Sequence, residues 1–199
     1  MKTRRKLLAL AVVAVIVAAA SGSYTWSALV ATSGNDDNQV ASGTVTLSDN
    51  DSGNALLSLS SAMPGAADTG CIKVTYAGSL PASVRLFGTT SGSGLDQYLN
   101  VQITRGTYSG AEPAFDSCTN FQADATNYIG AGAGVIYSGT LQGFPDTYAA
   151  GLVDPLAGSP EVWKGPEFHV YRIQVTLQNN TAAEGLNATQ AFTWEARNQ

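Results

Sequence analysis

Two cysteines, one histidine and a scatter of carboxylates are the residues of this chain best suited to site chemistry. Cys71 and Cys118 are its only cysteines. An even count in an exported chain predicts one disulfide between them. That bridge would span 47 residues. Closing a loop of that length is worth about 4 kcal/mol if the effect is chain entropy alone. Two free buried thiols are the alternative. The lone His169 falls mid-strand on the inward face of an alternating run, beside Glu167 and Tyr171. A typical catalytic zinc site needs at least three protein ligands, usually including His, and no HExxH occurs here. His169 therefore reads as a structural residue. Asp49, Asp51 and Asn54 resemble part of a calcium loop. An EF-hand wants Gly sixth and Glu twelfth, whereas Gly53 is fifth and Ser60 twelfth. A turn is the better reading, with a weak surface calcium site as the alternative. The run GAGAG at 130–134 lacks the spacing and the strand–helix setting of a dinucleotide fingerprint, and reads as a loop or a close backbone approach. There is no GxSxG and no P-loop. The residues thus single out no catalytic group, no cofactor site and no metal set. A nonlocal carboxylate pair stays open.

The composition narrows the elements that could position such residues. The chain has 199 residues, 10 basic and 15 acidic, with only 13% charged. Gly numbers 21, and Ser plus Thr number 37. Turns need Gly and strands accept Thr, so this is the composition of an extracellular β protein. A basic nucleic-acid binder and a coiled coil are both disfavoured.

The first 27 residues read as an export signal. Lys2, Arg4, Arg5 and Lys6 precede a 14-residue apolar run, residues 7–20. That run is long enough for a signal peptide and short for a membrane span. Cleavage fits after Ala20 or after Ser27, and an uncleaved anchor reaching Val30 is the alternative. The membrane would be met only during export. Loss of residues 1–27 removes four basic residues and no acidic ones, leaving 6 basic and 15 acidic, a net charge of −9. Such a charge repels nucleic acid and resists self-association unless acid or divalent cations screen it.

Beyond a mobile N-terminal segment at 28–39, polar from 31 to 39, period-2 alternation predicts one domain over residues 40–199. Strands are expected at 43–48, 56–60, 71–77, 83–87, 98–105, 135–141, 168–178 and 190–196. The strand at 83–87 is expected to pair with 71–77 across the turn at 78–81. Residues 49–54 and 63–65 read as turns. The stretch 106–161 is expected to be largely irregular. No amphipathic helix longer than two turns is found. Short strands at this spacing predict an antiparallel β-sandwich.

Three groups of segments, taken together, resemble the TasA/camelysin family of exported Gram-positive proteins. The signal end, Gly22-Ser23-Tyr24-Thr25-Trp26-Ser27, resembles the Gly-rich patch and Thr-Trp of that family's signal peptides. These are associated with a SipW-type peptidase, which by analogy would cut between Ser27 and Ala28. Residues 41–48 (ASGTVTLS) resemble the family's first-strand motif. Residues 57–65 (LSLSSAMPG) and 75–80 (TYAGSL) resemble the strand and turn that follow. Residues 192–197 (FTWEAR) resemble its closing strand. The likeness covers 22–88 and 168–199, and 89–167 has no counterpart.

The resemblance implies a jelly-roll sandwich exported to the cell surface or matrix. It also implies fibres built by donor-strand exchange, in which one subunit's N-terminus completes a sheet of the next. The candidate donor is 28–38, with Ala28, Leu29 and Val30 as its apolar residues. The expected partners are further copies of this chain and other matrix or surface proteins. The disulfide pair departs from the family pattern. Some members are catalogued as camelysin-type zinc metallo-endopeptidases, a role for which this sequence has no zinc motif. A monomeric surface module for glycan or protein is a further alternative, with Trp163 as its candidate contact, although core packing is the better reading of that residue.

Overall fold

The computed structural model describes residues 30–32, 44–59, 62–153, 155–156 and 159–199. The expected export signal at 1–27 and the expected Ser27–Ala28 cleavage point, with Ala28 and Leu29, lie outside these residues. The described residues are all-β. In chain order the strands are β1 (Val30–Thr32), β2 (Leu47–Asp49), β3 (Ala67–Tyr76), β4 (Ala82–Gly92), β5 (Leu99–Tyr108) and β6 (Phe121–Ala123). They continue with β7 (Val135–Thr140), β8 (Leu152–Val153), β9 (Pro155–Leu156), β10 (Ser159–Pro160), β11 (Glu167–Leu177) and β12 (Ala188–Asn198). Three single turns of 3₁₀ helix are the only helical pieces among the described residues.

All pairing is antiparallel and forms two principal sheets, neither closed into a barrel. One runs β1-β12-β4-β8. The other runs β2-β3-β11-β5-β6, with β7 beside β5. A short β9–β10 pair stands apart. Alternation decides which side chains meet. Ile72, Val74 and Tyr76 of β3, Leu99, Val101 and Ile103 of β5, and Tyr171, Ile173, Val175 and Leu177 of β11 are buried in one cluster. Val84 and Leu86 of β4 and Trp194 and Ala196 of β12 close it from the other sheet. Tyr171 and Trp194 meet there, ring centroids 5.4 Å apart. These are the inward sets that the period-2 pattern predicts for β3, β5 and β11.

Several expectations need correction. Residues 56–60 form no paired strand among those described. Leu56, Leu57 and Leu59 pack on the core, while the Ser58 N–H donates to Asp68 Oδ2 at 2.7 Å. Leu56 lies so close over Gly70 that a Cβ there would come within 2.7 Å of its carbonyl oxygen. The expected hairpin of 83–87 with 71–77 does not form. The edges of β3 are taken by β2 and β11, so residues 78–81 cross between the sheets and β4 pairs with β12 and β8. The strand expected at 43–48 begins only at Leu47, as β2, although Val45 and Leu47 are both buried as the alternation predicts. The 106–161 stretch is largely irregular, but β5 extends to Tyr108 and β6 and β7 both pair with it.

The cysteines are joined. Cys71, fully buried on β3, forms a disulfide with Cys118, with Cα atoms 5.1 Å apart. The Cys71 N–H donates to the Asp116 carbonyl at 2.9 Å, so the loop carrying Cys118 is also tied to β3 by backbone. The turn at 49–54 uses its carboxylates internally. Asp51 Oδ1 accepts from the Gly53 N–H at 2.7 Å, and Asp49 Oδ1 accepts from the Asp51 N–H at 3.3 Å. The Met63–Ala66 turn closes through an Ala66 N–H to Met63 carbonyl bond of 2.9 Å, with Gly65 at φ +82°. A side chain is strained at that φ, which is why Gly serves there.

Candidate functional site

One cluster of charged residues forms at one end of the sandwich, around Arg105. The alternation that turns Leu99, Val101 and Ile103 inward carries Arg105 inward as well, directly opposite Tyr171 of β11. A guanidinium on a core face must find anions, because a buried unpaired charge is costly. The backbone around it is fixed tightly. The Arg105 N–H donates to the Gly134 carbonyl at 2.8 Å, and the Arg105 carbonyl accepts from the Asp124 N–H at 3.1 Å. Gly134 sits at φ +72°, and a Cβ on it would lie 2.5 Å from the Arg105 carbonyl oxygen. The GAGAG run is thus a close backbone approach, and its last glycine presses on the strand that bears Arg105.

Two groups of partners flank the guanidinium. Nη1 lies 3.2 Å from Asp124 Oδ2 and donates to the Tyr128 hydroxyl at 3.1 Å. Tyr128 in turn donates to Asp124 Oδ2 at 2.8 Å. Nη2 pairs with Glu161 Oε2 and lies 2.9 and 3.0 Å from the two ring nitrogens of His169. His169 Nε2 is 3.0 Å from Glu167 Oε1 and 3.9 Å from Glu161 Oε2. Glu167 and His169 are two apart on β11, so they share its inner face. Glu161 arrives from another part of the chain. Two residues on, Trp163 exchanges backbone hydrogen bonds of 2.8 and 3.0 Å with Ala82, which pins that segment to β4. The Trp163 ring is fully buried and meets the His169 ring edge to face, centroids 4.5 Å apart. The second oxygen of Glu167 accepts the Lys164 N–H at 2.7 Å, leaving Oε1 directed at His169.

Burial governs the electrostatics. It is the main cause that lowers the His169 pKa to about 4, and the Arg105 charge adds to it against the opposing pull of Glu167. The imidazole is therefore neutral at neutral pH. Burial also raises Glu161, reinforced by Glu167 and Asp124 and opposed by Arg105. Of the side chains described, Glu161, Glu167 and His169 form the one set of three whose donor atoms lie close enough together to share a metal ion.

The sequence reading placed His169 beside Glu167 and Tyr171 on an inward face, and they lie there. It passed over Arg105, Asp124 and Glu161. The signal available for Arg105 was its phase, since it continues the buried set of its strand. Trp163, the candidate surface contact, is a core residue. Asp49 and Asp51 remain in their turn. A cleft of about 470 Å³ lies on the outer face of the larger sheet, lined by Asn100, Gln102, Ser138, Gln174 and Thr176 among others. Of the candidate donor residues, Val30 alone falls among those described, and its strand β1 runs antiparallel to β12, with Val30 opposite Arg197. No protein-family model matches this chain, and no curated protein matches it.

Proposed function

We propose that this protein is an exported structural subunit, of the extracellular matrix or cell surface, that joins copies of itself through its N-terminal segment. The observation that carries the reading is the pairing of β1 with β12. Val30, Ala31 and Thr32 lie opposite Arg197, Ala196 and Glu195. Within one chain, the edge of the smaller sheet thus pairs with a strand from the segment expected to act as donor between copies. β12 is 11 residues long, and β1 covers three of them. Among the described residues, no strand lies on that side of β12 from Ala188 to Trp194. Each paired couple sums to 227 in residue number, as in 30 with 197. Continuing that register would set 33–38 of a donor beside 194–189, the remaining length of the edge. Exposed edges are templates for addition of an extended peptide, and exchange between copies would link subunits in series. The resemblance to the TasA/camelysin family points the same way, as does the export signal. In this account the jelly-roll connectivity is that of the family's sandwich.

Mixed cross-linking tests this. Chains carrying only V30C are combined with chains carrying only R197C and assembled under oxidising conditions. Donor-strand exchange gives heterodimers on a non-reducing gel, specific to that pair. Their absence from assembled material would refute the register.

A second reading as a surface module rests on the cleft of the larger sheet. Its lining of neutral amides and hydroxyls offers donors and acceptors to sugar hydroxyls.

A further inference from the structure

Glu161, Glu167 and His169 converge at the Arg105 end of the sandwich, and we propose that they form a binding site for one divalent metal ion. The proposal is independent of self-association. Three arguments carry it.

Distance comes first. Two ligand atoms that each sit about 2.0–2.2 Å from one ion are at most about 4.4 Å apart. His169 Nε2 is 3.0 Å from Glu167 Oε1 and 3.9 Å from Glu161 Oε2. Both separations fit a shared centre as they stand. The donor atoms of all three residues lie within 4.8 Å of one another.

Orientation comes second. A metal-binding carboxylate is usually fixed by a hydrogen bond to its other oxygen. Glu167 has this arrangement, with the Lys164 N–H on Oε2 and Oε1 directed at His169. Trp163 buttresses the imidazole from the core side, and the Trp163–Ala82 backbone pair fixes the segment that brings Glu161.

Charge comes third. Three carboxylates, those of Asp124, Glu161 and Glu167, stand at this half-buried site against the single guanidinium of Arg105, an excess of acidic groups that a divalent ion would offset. Arg105 Nη2 lies against the ligand atoms, but Nη1 is already held by Asp124 and Tyr128 on the far side. Binding the ion requires Nη2 to move off these atoms, with Asp124 and Tyr128 as the partners that hold the guanidinium nearby. One imidazole with two carboxylates suits ions that accept both nitrogen and oxygen donors, the class of Zn²⁺ and Mn²⁺ rather than of Ca²⁺. The ion would tie the segment around Glu161 to β11. No reaction is assigned to it.

His169 is the chain's only histidine, so its imidazole gives a single set of ring proton signals. Protein secreted from cells encoding the full chain is stripped with EDTA, dialysed and titrated with Zn²⁺, then separately with Mn²⁺. The expected result is a saturable 1:1 shift of that one set by Zn²⁺, broadening by substoichiometric Mn²⁺, and reversal by EDTA. The E161Q/E167Q variant should bind at least tenfold more weakly, whereas D51N should bind like the parent. Ring signals that stay unmoved in excess metal would overturn the proposal. So would an equal shift in the folded E161Q/E167Q variant. The parent titration alone decides whether an ion reaches His169, so the test does not depend on that variant folding. Sedimentation velocity on the same samples reports assembly separately from the ring signals, so a failure here leaves the fibre reading untouched, and the reverse holds as well.

Discussion

Trp163 and His169 meet edge to face in the core, ring centroids 4.5 Å apart, with Trp163 entirely closed to solvent. The contact joins the segment after β10 to β11 and so brings Glu161 within reach of Glu167. It also removes Trp163 from any account of surface recognition. Trp163→Ala should destabilise the protein by roughly 3–5 kcal/mol, the usual cost of emptying a buried aromatic site. Urea unfolding followed by circular dichroism measures it. An unchanged midpoint would mean that the indole is not packed in the core.

Arg105 is the cation that two carboxylates share, those of Asp124 and Glu161. Arg105→Met should cost about 3–5 kcal/mol, because it leaves half-buried anions facing one another without their counter-charge. Residues in one such network do not act independently. The double variant R105M/E161Q should accordingly recover part of that loss, since it removes an uncompensated charge together with its partner. Strict additivity in the four-member cycle would show that Arg105 and Glu161 are not coupled.

The disulfide anchors the loop at 109–120 to β3. Replacing Cys71 and Cys118 together by Ala should cost about 3 kcal/mol and lower Tm by roughly 10 °C. Thermal unfolding with and without reductant is the check. The reduced parent should match the double variant, and neither should lose the strand signal at 25 °C.

The strands were legible wherever one face is buried and the other wet. Tyr171, Ile173, Val175 and Leu177, and likewise Leu99, Val101 and Ile103, announce their inner faces by alternation alone. Strand partners were less legible. The short connection at 78–81 suggests a hairpin, yet β3 has other neighbours on its edges and β4 belongs to the opposite sheet. Residues 56–60 alternate like a strand because Leu57 and Leu59 do bury against the core, but side-chain burial does not require a partner for the backbone. The charged cluster was the least legible part. Its members lie at 105, 124, 161, 167 and 169, and only the last two are local to one another. Asp124 and Glu161 stand in irregular stretches where no period assigns a face. Arg105 alone was within reach, as a charged residue in a buried phase that requires anions from elsewhere in the chain.

The central claim is that residues 28–38 link one copy of this chain to the next. Its most direct test is sedimentation velocity with negative-stain microscopy on protein beginning at residue 28 and on a variant beginning at residue 39. Both are examined at neutral pH, in acid and with calcium, which offset the net charge of −9 carried by residues 28–199. The account predicts regular filaments from the longer protein once its charge is screened, and a folded monomer from the shorter one throughout. Filaments from the shorter protein, or monomers from the longer one under every condition, would contradict it.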